Sequence, residues 1–326
     1  MNRILLPALL LMLALPAQAI ERYLTGNFKD VHPAVLHGPV LDLAGGGSDV
    51  ETAFQRMIDT VRGCTNCDAT LDVVVLRSSG ANGYNPWYYT LHGIDSIESF
   101  VINDRMDGHN PEVVNAIRNA EVVFVAGGDQ CYYVEFFANS PIEDAVKSVY
   151  DRGGGVGGTS AGLAIQGQIV YDACHDASAV SDKSMADPYY DEITFTNDFF
   201  AWPIMHGTFT DTHFVARNRL GRLLTFLARS FQENPDLDSV LGIGVNERTS
   251  VLVGPDGIGQ VMGTGPAYFI LADHFPEVTV PGKPLTYCDY KVWKVGAGGT
   301  FDLKHRPTTG FYNVSVNEGK LTSDPY

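Results

Sequence analysis

Gly158-Thr159-Ser160-Ala161-Gly162 follows a Gly/Val run at residues 153–157 and precedes Leu163-Ala164-Ile165-Gln166, a segment compatible with a helix. This is the G-x-S-x-G pattern in the setting of a nucleophile elbow, a tight turn between a strand and a helix. The flanking glycines suit a turn whose central serine sits on strained backbone, where bulky neighbours would clash. Such a turn lifts the Ser160 hydroxyl off the sheet. It also aims the helix N-terminus and the backbone N–H of Ala161 at any oxyanion formed there. The pentapeptide by itself is equally a Gly-rich turn closing a βα unit, because Gly and Ser are common turn residues.

Upstream of the elbow, strand, loop and helix patterns alternate. Residues 40–44 read as a strand ending in Gly45-Gly46-Gly47, and 50–62 as a helix. Residues 71–76 are a Val-rich apolar run broken only by Asp72, as expected of a strand buried on both faces. A helix over 111–119 has Pro at an early position. A buried strand over 122–126 ends in Gly127-Gly128-Asp129-Gln130, and Ser140-Pro141 opens a helix to about Arg152, capped by Gly153. Three strands thus end in Gly-rich loops at one carboxyl edge, where parallel α/β sheets place their sites. The expected fold is α/β, a doubly wound, mostly parallel sheet covered by helices. Beyond about residue 240 the pattern shifts to strands over 244–253, 259–262 and 268–271, with a late hairpin over 292–303 around residues 296–299. These are expected as extra strands on the same sheet, within a single domain over 20–326.

Residues 1–19 combine Met1-Asn2-Arg3, an apolar run over 4–15 and Pro16-Ala17-Gln18-Ala19. That order predicts a signal peptide cleaved after Ala19, hence a secreted or periplasmic protein with no membrane attachment once cleaved. The net charge of −16 argues against a nucleic-acid partner. A monomer and a homodimer are both compatible with the sequence. Export makes disulfides possible for the five cysteines, Cys64, Cys67, Cys131, Cys174 and Cys288. Cys64 and Cys67 have no second pair to complete a zinc site and are expected as a local disulfide or two free thiols. Cys131 is expected as a small buried core residue. No H-E-x-x-H spacing points to a catalytic metal, and no cofactor is expected. Gly45-Gly46-Gly47 lacks the rest of a phosphate-loop motif and is expected to pack close to Ser160. His206 is expected to be structural, and Phe195, Phe199, Phe200 and Trp202 to be core or pocket wall.

A serine nucleophile needs a base, and the base needs orienting. Among nine histidines, His213 stands out in Asp211-Thr212-His213-Phe214, followed by Arg217, Arg219 and Arg222. It could instead cap the following helix, with the arginines a solvated face. In an acidic chain, however, a local arginine cluster suits recognition of carboxylates. Nearby arginines also disfavour protonation of His213, which keeps it a neutral base.

Gly127-Gly128-Asp129-Gln130, the Ser160 pentapeptide, Asp211-Thr212-His213-Phe214 with its arginines, and Val245-Asn246-Glu247-Arg248-Thr249 occur in that order. Together they resemble the cyanophycinase and peptidase E family of serine peptidases, over nearly all of residues 20–326. The exported cyanophycinase-like branch is the nearer match. The resemblance implies a fold like that of class I glutamine amidotransferases, Ser160 as nucleophile and His213 as general base. It implies an oxyanion hole from the N–H groups of Gly128, Asp129 and Ala161, and substrate contacts from Gln130, Asp211, Arg217 and Glu247. The implied substrate is an aspartyl, arginine-rich peptide: cyanophycin, a polyaspartate with arginine on its side chains, cut to β-Asp-Arg dipeptides. An Asp-X dipeptidase, an ester hydrolase on the same elbow and a non-catalytic binding protein are the alternatives.

Two departures bear on this. Thr212 stands where many cyanophycinases have Gln before the catalytic histidine. In relatives, the triad acid lies between the serine and the histidine, and here Ser178 falls at the far end of that window. Asp176 is the nearest carboxylate and the expected acid, with Asp172 and Asp182 as others and a dyad with a polar orienter as a further alternative.

Overall fold

The β-branched runs read as buried strands lie at the centre of a nine-stranded sheet in the computed structural model, which describes residues 19–33, 35–324 and 326. The leader expected over residues 1–19 lies, but for Ala19, outside the described residues. No helix among the described residues is long and apolar enough to cross a membrane. The first half runs β1 (Glu21–Gly26), β2 (Val40–Ala44), α1 (Glu51–Arg62), β3 (Leu71–Arg77), α2 (Asn85–Tyr88) and β4 (Ile94–Val101). It continues with α3 (Pro111–Asn119), β5 (Val122–Val125), α4 (Gln130–Phe137), α5 (Pro141–Asp151), β6 (Gly155–Thr159) and α6 (Ala161–Ala164). Next come β7 (Ile169–Tyr171), α7 (Ser181–Ala186), β8 (Phe195–Asn197), β9 (Thr208–Asp211), α8 (Leu220–Glu233), β10 (Val240–Val245) and β11 (Thr249–Val253). The chain closes with β12 (Ile258–Gly263), β13 (Ala267–Ala272), β14 (Tyr287–Val295), β15 (Thr300–Asp302), β16 (Tyr312–Asn317) and β17 (Lys320–Leu321).

The main sheet has the order β1-β4-β3-β5-β6-β2-β11-β12-β15. Its core, β4-β3-β5-β6-β2, is parallel, and the flanking β1, β11, β12 and β15 are antiparallel. The mostly parallel, helix-covered α/β fold is therefore present. One face is covered by α1, where Phe54, Met57, Ile58 and Val61 pack on Val40, Val73, Val75, Val122 and Phe124. The other face meets α3 and α5 through Val113, Ile117, Ile142, Val146 and Val149. β6 carries glycines because its neighbours occupy the room: a Cβ on Gly157 would lie 2.9 Å from Asp42 Cβ and 3.0 Å from Phe124 Cδ2. The predicted caps are in place, with Pro111 and Pro141 opening α3 and α5 and Gly153 at φ 90° just beyond α5.

The C-terminal strands depart from expectation. Only β11, β12 and β15 join the main sheet; the others form a six-stranded sheet of order β17-β16-β14-β13-β10-β9. The stretch read as one strand over 244–253 is two, because Asn246, Glu247 and left-handed Arg248 (φ 54°) break it between sheets. Likewise β14 and β15 belong to different sheets and make no hairpin. The two sheets share one core. Leu241, Ile243 and Val245 of β10 and Phe269 of β13 pack in the same cluster as Leu43, Val125 and Val251 of the main sheet. The alternate residues, Val240 of β10 and Tyr268 and Ile270 of β13, face the opposite way onto Leu223, Leu224 and Leu227 of α8.

Candidate active site

Ser160 sits between β6 and α6 with φ 52° and ψ −114°, a backbone conformation that an L-residue holds only when its surroundings enforce it. The glycines of the pentapeptide supply that enforcement. A Cβ on Gly158 would lie 2.4 Å from the carbonyl carbon of Gly162, and one on Gly162 2.0 Å from the carbonyl oxygen of Val125. The Ser160 N–H donates to Ala44 O at 3.0 Å, and its carbonyl accepts the N–H of Ala164 at 2.9 Å. Ala161 opens α6, so its N–H is one of the donors a helix start leaves unpaired. Gly127 also packs here: a Cβ on it would meet Ser160 Cβ at 3.5 Å, which brings the Gly127-Gly128-Asp129 turn beside the serine.

His213 comes from the end of β9 and meets the serine, with Ser160 Oγ 2.7 Å from Nε2. Its other ring nitrogen, Nδ1, lies 2.7 Å from Glu247 Oε1. With Glu247 ionised, Nδ1 keeps its proton and donates it, which leaves Nε2 to accept from the serine hydroxyl. Three segments hold the ring. His213 N–H donates to Gly45 O at 2.7 Å, Arg248 N–H to Gly46 O at 2.8 Å and Phe214 N–H to Val245 O at 3.2 Å. The Gly45-Gly46-Gly47 turn therefore packs on the histidine, and a Cβ on Gly46 would lie 2.5 Å from its Cε1 and Nε2.

The acid partner differs from expectation. Asp176 is exposed, in the 172–180 segment, and is not the partner of His213 Nδ1. Asp172 is buried and occupied by Cys174 N–H at 3.1 Å and by the hydroxyls of Thr194 and Thr196. Glu247, expected to touch substrate, instead occupies the orienting position. Its sequence signal was its place in a polar break just after a buried strand. Its partner lies 34 residues away, so no local spacing marks the pairing.

Asp211 is also placed differently. It is buried and takes a two-pronged contact from Arg222, Nε to Oδ2 at 2.8 Å and Nη2 to Oδ1 at 2.5 Å. Thr212 N–H donates to its Oδ1 at 2.8 Å, and Arg219 Nη1 approaches at 3.3 Å. Asp211 thus anchors the framework and offers nothing to a substrate. Arg222 is only 2 % exposed and extends to Ser178 Oγ at 3.0 Å and Ala179 O at 3.1 Å. Arg219 bonds Thr212 O at 2.9 Å and Thr212 Oγ1 at 2.8 Å. Arg217 is exposed, and its guanidinium has no protein partner among the described residues. Gln130 opens α4, with its amide 3.5 Å from Tyr171 O. Cys131 forms a disulfide with Cys174 rather than filling the core, because the fold brings their Cα atoms to 4.9 Å. Cys64 and Cys67 are paired, and Cys288 is free and exposed.

The electrostatics suit a base. Burial pushes the His213 pKa below its ordinary value; Glu247 opposes this, while Arg217 and Arg219 add to it. The hydrogen bond from His213 holds the Glu247 carboxyl below the usual carboxylate range, with Arg217 and Arg248 helping. Burial would raise Asp211, but Arg222 and Arg219 hold it low. Burial also pushes Arg219 down to about 10. A hydroxyl on a strained turn, a neutral imidazole within hydrogen-bond reach and a carboxylate behind it can together carry out acyl transfer.

No protein-family profile matches the chain. A cyanophycinase of Synechococcus elongatus is 25% identical over 302 residues, covering 87% of this chain and 88% of that protein. A cyanophycinase of Nostoc sp. is 26% identical over 220 residues, covering 66% of this chain and 67% of the relative. The crystal structure of a peptidase from an acI-B1 Actinobacterium superposes with a TM-score of 0.54 at 16% identity, covering 82% of this chain and 98% of its own; that likeness speaks to the fold. Similarity to cyanophycinases over most of the chain and the shared fold agree with the order of motifs around Ser160 and His213: the chain resembles the cyanophycinase and peptidase E-like family, and these likenesses support a peptidase.

Proposed function

We propose that this chain is an exported serine-type exopeptidase that hydrolyses aspartyl peptide bonds, with cyanophycin as substrate and β-Asp-Arg dipeptides as product. The observation that carries the reading is the relay of two 2.7 Å contacts, from Ser160 through His213 to Glu247, with Arg217, unpartnered among the described residues, nearby in the chain. Ser160 Oγ attacks the aspartyl carbonyl while His213 Nε2 takes its proton. The tetrahedral oxyanion is stabilised by N–H groups of the Gly128-Asp129 turn and Ala161. His213 then passes the proton to the leaving amine, the C–N bond breaks, and water attacks the acyl-enzyme by the same route in reverse. Arg217 recognises a substrate carboxylate through its fork of donors. Gln130 borders the same turn.

Two disulfides support an oxidising compartment, in keeping with the leader read over residues 1–19. Sequencing the N-terminus of the exported protein tests this, with Ile20 the expected first residue. Product analysis by mass after incubation with cyanophycin tests the substrate: β-Asp-Arg release is expected. A second reading, an Asp-X dipeptidase, is favoured by Thr212. Its hydroxyl is buried and taken by Arg219, so it cannot provide the two-ended contact of the glutamine that many cyanophycinases carry there. Turnover of free Asp-X dipeptides with no release from the polymer would select it.

A further inference from the structure

The Cys131–Cys174 disulfide joins the start of α4 to the segment that follows β7, 43 residues away in sequence. Cys131 is the second residue of α4, directly after Gln130 and the Gly127-Gly128-Asp129 turn beside Ser160. Cys174 lies in the 172–180 segment. The far end of that segment, with Ser181, lines a cavity of about 190 Å³ together with Arg217, Arg219 and Arg222. The segment is fastened at its two ends, at Asp172 by the hydroxyls of Thr194 and Thr196 and at Val180, whose N–H donates to Tyr190 Oη at 2.9 Å, and is loose between them. Arg222 holds Ser178 and Ala179, and Tyr171 Oη accepts the N–H of Ala179 at 2.7 Å. Residues 174–178 are exposed, and among the described residues 175–177 have no hydrogen bond. Apart from the disulfide, the hydrogen bond between this stretch and α4 among the described residues is the long 3.5 Å contact of Gln130 with Tyr171 O.

We propose that Cys131–Cys174 is a positioning disulfide that fixes the arginine-lined cavity relative to the turn at Ser160. Opening it weakens recognition of carboxylate-bearing substrates and leaves the chemistry at Ser160 intact. The proposal rests on the reading of Arg217 as a carboxylate site. The physical ground is preorganisation: a segment already held in place loses less freedom when ligand binds. Reduction is a two-electron step in which an added dithiol becomes a cyclic disulfide and the two cysteines gain a proton each. Glu135 has a carboxylate oxygen within 4.8 Å of both sulfurs, which sets a negative charge in the path of an attacking thiolate. Loss of that charge in Glu135→Gln speeds the reduction.

The test compares the full mature protein with its Cys131→Ser/Cys174→Ser variant, and uses Cys64→Ser/Cys67→Ser as the control for losing a disulfide as such. In the first variant KM for an aspartyl peptide rises about 3–10-fold. Its kcat and the rate at which a small phosphonofluoridate labels Ser160 stay within about twofold. Amide exchange quickens over 173–178, and the control pair leaves all four readouts unchanged. An unchanged KM overturns the proposal. So does a fall in kcat and labelling in step with the rise in KM, which would make the disulfide a support of the whole site. If the wild type cleaves no aspartyl peptide, the substrate reading fails by itself. The disulfide is then judged by how well succinate protects Ser160 from labelling: weaker protection in the variant sustains the proposal, and equal or absent protection in both proteins overturns it.

Discussion

Glu247 Oε1 stands 2.7 Å from His213 Nδ1, on the side of the ring away from Ser160. The carboxylate comes from the short break between β10 and β11, and its side chain is 38 % exposed. It holds the imidazole in the tautomer whose Nε2 can accept the serine proton, and it stabilises the imidazolium formed in the transition state. Glu247→Gln keeps the shape but lets the amide stabilise the wrong tautomer. The expected outcome is a fall in kcat of about 10²–10⁴-fold with KM little altered, read from steady-state kinetics. Asp176→Asn, in the exposed segment, leaves both constants unchanged. A large loss on Asp176→Asn with full activity in Glu247→Gln would reverse the assignment.

The pH profile follows from the same contact. His213 works as a base only when neutral, and its pKa lies below the ordinary 6.5 because the ring is buried, with Arg217 and Arg219 adding to the effect. Activity is therefore full above that pKa and is lost as pH falls through it, so the acid limb of kcat/KM has its midpoint below pH 6.5. Arg217→Gln removes a positive charge and moves the midpoint up. Glu247→Gln removes a negative partner and moves it down. Opposite shifts in these two variants are what a titration of kcat/KM is expected to find; a midpoint that neither variant moves assigns the limb to another group.

Gly46 tests whether the base is positioned by its backbone cradle. It has φ +99°, and a Cβ there would lie 2.5 Å from two atoms of the His213 ring. Gly46→Ala must therefore displace the imidazole or the 45–47 turn, although no reacting atom is removed. Misplacement of about 1 Å costs on the order of 10²-fold in rate. Activity is expected to fall by that order while the circular dichroism spectrum is retained. Wild-type turnover in Gly46→Ala would show that the turn yields without disturbing the ring.

What the sequence made legible follows from how local each signal is. The parallel centre was readable because strands such as Leu71–Arg77 and Val122–Val125 are buried on both faces and so are mostly apolar, the first with a single buried carboxylate, Asp72, in its run. Ser160 was readable because the strained turn needs glycines within two residues of it. The second sheet was not. β10 and β11 are separated by three residues, and the left-handed residue that parts them is Arg248, which carries no turn signature. β9 is the short Thr-Phe-Thr-Asp, whose parallel pairing with β10 is a tertiary fact. The role of Glu247 and the pairing of Cys131 with Cys174 depend on contacts 34 and 43 residues apart, which no period or motif encodes. Asp211 was expected as a substrate contact on the strength of the family resemblance. Burial of Arg222 against it makes it a framework residue.

That last distinction separates Arg222 from Arg217 by experiment. Arg222 and Asp211 are both nearly inaccessible, so removing Arg222 leaves the buried Asp211 charge with only the longer 3.3 Å contact from Arg219 and the Thr212 N–H. Arg222→Met is expected to lower the unfolding free energy by about 3–5 kcal/mol, measured by urea denaturation. The paired replacement Arg222→Met/Asp211→Leu recovers much of that loss, because neither charge then remains in the interior. Arg217 is exposed and unpaired among the described residues, so Arg217→Lys leaves the denaturation midpoint where it was. It acts on KM instead, since a planar fork able to hold a carboxylate at two points becomes a single charged point. A stable Arg222→Met protein with a raised KM, or an Arg217→Lys protein with normal kinetics, would exchange the roles assigned to the two side chains.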